Sequence, residues 1–190
     1  MPAMPTPGPI DFQNSSVEVA RLLIGALLRV DGIGGRVVET EAYDAQDPAS
    51  HSYSGPSKRN ATMFGPPGHA YVYRSYGLHW CLNFVCREAG HGAGVLIRAL
   101  QPTDGLALMQ SRRGVLDGRL LCSGPGRVGQ ALGITEAFDG MPLDRPPFEL
   151  TPAPGAVDVA VGVRIGISKA REMPWRFGMR GSRFLSRRFP

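Results

Sequence analysis

The sequence predicts an α+β domain built around an antiparallel sheet, on three observations. Its 190 residues hold 25 glycines and 17 prolines with only 19% charged residues, a composition of many turns and short strands rather than a helical bundle. Residues 36–43 alternate strictly, and two short strand-like segments, 70–73 and 78–85, flank a glycine-assisted turn. With 43% hydrophobic residues the chain can close one core. No internal repeat or Gly/Ser linker divides it, so a flexible N-terminal arm over 1–14 and a single domain over 15–190 are expected.

The elements follow in order. Ser15-Ser16-Val17-Glu18 has capping-box spacing, which predicts a helix from about 16 to 28. In the strand 36–43, Arg36, Val38, Thr40 and Ala42 share one face; Val37, Glu39, Glu41 and Tyr43 share the other. Residues 44–67 read as a long loop, a kind that is often functional. The hairpin 70–85 carries Tyr76 and Gly77 at its tip, and a third strand, 95–100, completes a meander. Asp104 is read as capping a helix that ends near Gly114. Ser123-Gly124-Pro125 opens another ending near Gly133. Residues 142–154 read as a loop and 159–167 as a late strand.

Charge and cysteine content narrow the function classes. Net charge is +5, yet residues 164–190 hold eight Arg or Lys against one Glu, a local +7 that leaves −2 on the rest. A basic terminal segment suits a polyanion, with nucleic acid ahead of acidic lipid. Leu22–Leu28 is too short to span a bilayer and MPAMPTPGP lacks a secretion signal's pattern. No membrane association and a cytoplasmic, nucleoid-associated location are therefore expected. In that location disulfides are not expected, and Cys81, Cys86 and Cys122, an odd number with no Cys-x-x-Cys pair, suggest no metal site; His79 with Cys81 reads as core or sheet.

Glu39 and Glu41 would stand about 6 to 7 Å apart on one strand face. Repulsion and partial burial would raise the pKa of one of them, and a poised carboxylate is a sound general base for water. Taken alone, a solvated polar face fits them better. The surroundings are aromatic: four of the five tyrosines, Tyr43, Tyr71, Tyr73 and Tyr76, lie on this strand or in the hairpin. Tyr71 and Tyr73 share a face, either as core packing or as a surface on which an extruded base stacks. Tyr76, at an exposed tip, could wedge between base pairs.

These pieces occur with VVETEAY (37–43), HS (51–52), RN before MF (59–64), YVYRSYG (71–77), Asn83, LIRAL (96–100), LCSGPGRVGQAL (121–132) and RGS (180–182). In this order and spacing the sequence closely resembles the alkyladenine (3-methyladenine) DNA glycosylases, the methylpurine DNA glycosylases, from about residue 20 onward. The resemblance implies a curved antiparallel sheet flanked by helices, with a protruding β-hairpin. It implies a monofunctional base-excision-repair enzyme that flips alkylated or deaminated purines from duplex DNA and hydrolyses the N-glycosidic bond. Glu41 would activate the water, with Arg98 beside it. Tyr43 and Tyr73 would sandwich the base, with Tyr71 as wall or stacking partner. His51 would contact the base edge and Asn83 would test exocyclic groups. Tyr76 and Gly77 would engage DNA at the hairpin; Arg180 and Ser182 would contact DNA or brace the site.

A lyase would need an amine nucleophile. Lys58 and Lys169 are the only lysines and neither reads as part of the tyrosine–carboxylate cluster; Pro2 is a third candidate, more simply part of the arm. Hydrolysis by a monomer, with no cofactor, is the expectation. Two rival classes fit parts of the chain: a non-catalytic nucleic-acid module using the basic tail, and a carbohydrate hydrolase using Glu39 and Glu41 as an acid pair.

Overall fold

The computed structural model describes residues 9–190. Helix α1 spans Ser16–Leu22, and its expected capping box is formed: the Glu18 N–H donates to Ser15 Oγ and the Ser15 N–H to the Glu18 carboxylate. The helix stops six residues short of expectation. Gly25 takes φ +88°, where a Cβ would lie 2.7 Å from Val157 Cγ2, and this left-handed turn diverts the chain into strand β1, Leu27–Val30.

Strands β2 (Ile33–Tyr43), β3 (Ala70–Ser75), β4 (His79–Cys86), β5 (Ala93–Asp104) and β6 (Phe148–Thr151) form an antiparallel sheet in the order β3-β4-β5-β2-β1-β6. Strands β7 (Val159–Gly162) and β8 (Arg176–Met179) extend it, with β8 pairing to Glu39–Glu41 of β2. Thus β2 has β5 along one edge and β1, then β8, along the other. The expected meander is β3-β4-β5. Strand β6 lies inside the proline-rich stretch read as loop, and β7 ends at Gly162, well before Ile167.

The alternation of β2 is broken by a bulge. Val37 pairs with Leu100 and Glu39 with Ala99, leaving Val38 extra, and such an insertion re-aims the side chains that follow. Val37, expected beside the glutamates, instead joins Ala42 in the main core, while Thr40 Oγ1 donates to the Ala20 carbonyl of α1. Glu39, Glu41 and Tyr43 thereby project from the other face.

The core lies between the sheet and α1, α2 (Leu106–Arg113), the one-turn α3 (Gly118–Leu121) and α4 (Pro125–Leu132). Asp104 does not cap α2: it ends β5 and pairs with Arg29 at 3.1 Å, and Gly105 occupies the N-cap. Helix α4 matches expectation, with Pro125 in its first turn and Gly133 closing it at φ +70°. It packs so closely on β4 that a Cβ on Gly129 would meet the Trp80 carbonyl oxygen at 1.9 Å. Of the expected arm, residues 1–8 and so Pro2 lie outside the described residues; Ile10 and Phe12 pack on the core, Phe12 edge-on to Phe84. Among the described residues no helix is long and apolar enough to cross a membrane.

Candidate active site

Register builds the site. Tyr71 pairs with Asn83, Asn83 with Leu96, Leu96 with Glu41 and Glu41 with Arg176, one cross-strand row over five strands. Tyr73 pairs with Cys81 in the next row of β3 and β4. Side chains of such rows stand on a common face, and here that face floors a cleft of about 720 Å³, within the range of small-molecule sites. Tyr43, Tyr71, Tyr73, Asn83, Arg98 and His51 line it.

Arg98 reaches this face through a second irregularity. It falls between the Glu39–Ala99 and Thr40–Ile97 pairs, as the extra residue of β5. Its Nε donates to Glu39 Oε1 at 3.0 Å, Nη2 to Ser186 Oγ at 3.3 Å, and Nη1 lies 3.5 Å from Glu41 Oε1. Burial opposes its charge, but Glu41 and Glu39 outweigh that and raise its pKa.

Both carboxylates are fully buried. Glu39 Oε1 accepts from Arg98 Nε and, at 2.7 Å, from the Ser186 hydroxyl, Oε2 accepts the Ser186 N–H at 2.7 Å, and Arg176 Nε lies 3.2 Å from Oε1 as an ion pair without a hydrogen bond. Glu41 Oε1 accepts the Ile165 N–H at 2.7 Å and Oε2 accepts the Tyr43 hydroxyl at 2.8 Å. The expected mutual repulsion is answered by Arg98, which contacts both. Glu41 stands directly behind the cleft wall, since Tyr43, Arg98 and Ile165, all bonded to or beside it, line the cleft.

The tyrosines are neutral donors at ordinary pH: burial first, then the neighbouring Glu41, drives the Tyr43 hydroxyl far up; burial and Cys81 do the same to Tyr73; burial pushes Tyr71 up to about 12. Tyr71 and Tyr73 lie 5.7 Å apart with planes inclined at 35°, and His51 stands edge-on to Tyr73 at 4.4 Å. His51 Nδ1 is 3.2 Å from the Tyr71 hydroxyl. Burial, then Arg59, lowers its pKa below the ordinary 6.5, so the ring is neutral at pH 7. This contact occupies Nδ1 and leaves Nε2 as the second ring nitrogen. Asn83 donates to the Tyr71 carbonyl at 3.2 Å, leaving its carboxamide oxygen available at the cleft.

The 44–67 loop, which ends in a short 3-10 turn over Ala61–Phe64, is stapled by Asn60, whose amide donates to the His51 and Gly55 carbonyls and whose oxygen accepts from Ser57. It thus carries His51 and Arg59 to the cleft. At the hairpin tip Tyr76 and Gly77 take φ of +51° and +65°, the Leu78 N–H closes on the Ser75 carbonyl, and Tyr76 is 90% exposed at the cleft mouth. Arg180 and Ser182 are not brought into the cleft: Arg180 pairs with Asp158 at 3.1 Å, and Ser182 Oγ accepts the Phe184 N–H.

The sequence reading missed the far wall, Ile165–Lys169, because residues 159–167 looked like one strand. Gly162, Gly166 and Ser168 were the local signs that the strand ends early. This also corrects the reading of Lys169, which lines the cleft after all, exposed at its edge. Arg59 and Met63 complete the lining from the long loop. Among the described residues no three His, Cys, Asp or Glu side chains are placed to hold a metal.

The methylpurine-DNA glycosylase family model matches residues 10–183. Relatives carrying the name "Putative 3-methyladenine DNA glycosylase" include one from Nitrosospira multiformis, 69% identical over 180 residues and covering 95% of this chain and 93% of the relative. Another, from Rhodopseudomonas palustris strain BisB18, is 62% identical over 178 residues, covering 94% and 89%. A third, from Rhizobium meliloti, is 58% identical, covering 94% and 95%.

Proposed function

The chain belongs to the methylpurine-DNA glycosylase family, and on that premise we propose that it flips alkylated or deaminated purines out of duplex DNA and hydrolyses the N-glycosidic bond with a water activated by Glu41, leaving an abasic site. The observation that carries this is the cross-strand row that sets Glu41 behind a cleft lined by Tyr43, Tyr71, Tyr73 and Arg98, with an exposed tyrosine at its mouth.

The chemistry follows from the contacts. An N3- or N7-alkylated purine is a cationic, good leaving group, so the protein must chiefly stabilise an oxocarbenium-like sugar and orient water. Glu41 can do both; the attacking water takes the place now held by the Tyr43 hydroxyl against Oε2. The Ile165 N–H and Arg98 fix Oε1, which aims the carboxylate. Flipping costs a few kcal/mol, least for damaged or poorly paired bases, and stacking on the tyrosines returns about 1–3 kcal/mol. A neutral His51 tolerates a cationic base beside it, and Asn83 lies in the cleft lining where exocyclic groups of the base are tested. Tyr76 fills the gap left in the duplex. Arg59, Arg74 and Lys169 at the cleft, with Arg180 and Ser182 outside it, meet the backbone.

Glu39 is unsuited to a two-carboxylate glycosidase, because both its oxygens are consumed by Arg98, Arg176 and Ser186. The test is release of free base from duplex DNA containing 3-methyladenine or hypoxanthine. The proposal requires release, with the strand intact until alkali cleaves the abasic site; absence of release from every lesion tried defeats it. Borohydride should trap no protein–DNA adduct. An adduct that disappears in Lys169→Ala would replace hydrolysis with Schiff-base chemistry.

A further inference from the structure

Arg164 follows β7 and is buried behind the cleft together with Asp47 of the long loop; both side chains are fully shielded from solvent. The guanidinium forks onto Asp47, with Nη2 donating to Oδ1 at 2.9 Å and Nη1 to Oδ2. Nη1 also donates to the Ala42 carbonyl at 3.0 Å, next to Tyr43 in β2. The guanidinium carbon lies 4.7 Å from the Tyr43 ring centroid and 5.3 Å from that of Trp175. The next residue, Ile165, supplies the N–H bonded to Glu41. One side chain therefore touches the loop that carries His51, the Ala42 carbonyl and the ring of Tyr43, and belongs to the segment that anchors Glu41.

A buried ion pair is poor evidence for stability, since desolvation offsets most of the attraction. Arg164 Nε is moreover left without a partner. Tyr43 with the 44–55 loop that follows it, and Ile165, come from two distant parts of the chain, and nothing in their local sequence fixes their relative placement to the fraction of an ångström that catalysis requires. We propose that the Arg164–Asp47 pair is the positioning element of the site: it sets the plane of Tyr43, holds the Ile165 N–H on Glu41 and ties the two cleft walls together. This rests on the glycosylase reading of the cleft.

The test is the double variant Asp47→Leu/Arg164→Met, which removes both charges and fills the volume, so that folding is retained or improved. Its melting temperature should equal or exceed that of the wild type, and its affinity for an abasic-analogue duplex should stay within about twofold, the contacts there being peripheral. Its single-turnover base release per titrated site should fall about 10- to 100-fold, as expected for small misplacements, and the Ile165 amide should lose protection from hydrogen exchange. Arg164→Lys, which keeps the charge and loses the fork, should shift both readouts the same way. Release within twofold of wild type, with Ile165 still protected in both variants, overturns the proposal. If the wild type itself releases no lesion, the glycosylase reading fails separately, and amide protection alone decides the positioning claim.

Discussion

Glu39 and Glu41 are two residues apart on one strand, yet their surroundings are finished differently. Around Glu39 the C-terminal segment closes the structure: Ser186, Arg98 and Arg176 consume both oxygens, and Arg176 is in turn stacked on Phe189 at 3.8 Å. Around Glu41 one oxygen is fixed by backbone, while the other meets only the hydroxyl of a cleft-lining tyrosine. The first arrangement locks a terminus; the second leaves one acceptor that a water can take. Equal burial thus does not mean equal role, and what separates the two is where their hydrogen-bond partners come from.

On stability the largest effect belongs to Glu39→Gln. It leaves Arg98 and Arg176 facing a neutral amide in the interior, and loss of one member of a buried ion cluster costs about 3–5 kcal/mol. Urea unfolding should show that loss, and a midpoint unchanged from wild type would dissolve the distinction drawn between the two acids. Tyr76→Ala tests the exposed rim: affinity for a lesion-containing duplex should drop by about 1–3 kcal/mol, the value of one base stack, with folding unchanged. Equal binding by the variant would mean that the tip does not enter DNA.

The smallest expected effect concerns pH. Burial and then Arg59 lower the pKa of His51, so the midpoint of its protonation lies below the ordinary 6.5. As pH falls through that lowered value, a positive charge appears beside the base, costing about 1 kcal/mol, or roughly fivefold, against a cationic lesion at 4 Å in a water-like dielectric. Release of 3-methyladenine should therefore decline toward acid more steeply than release of hypoxanthine. His51→Gln should make the two profiles parallel; profiles already parallel in the wild type would remove His51 from the base contact.

Much of this arrangement was legible in the sequence. Period-two alternation put Glu41 with Tyr43 and Tyr71 with Tyr73, and Tyr76-Gly77 marked the hairpin tip. What could not be read was geometry created between distant segments. The bulges at Val38 and Arg98 follow from pairing across β2 and β5, so local pattern gave Val37 the wrong face. Arg164 and Ile165 looked like residues of a strand because the alternation continues past Gly162; the Asp47 and Glu41 partners that pull the chain inward lie more than a hundred positions earlier. Strand β6 was hidden by flanking prolines, and its pairing with β1 is again a tertiary fact.

The most direct measurement is single-turnover release of base by wild type and Glu41→Gln, on duplex DNA bearing 3-methyladenine or hypoxanthine, with binding to an abasic-site analogue measured in parallel. Removing a general base costs about 10²- to 10⁴-fold. The variant should bind the analogue as tightly as wild type while its release rate falls by that much. A variant that binds normally and releases base at close to the wild-type rate would contradict the assignment of the water to Glu41.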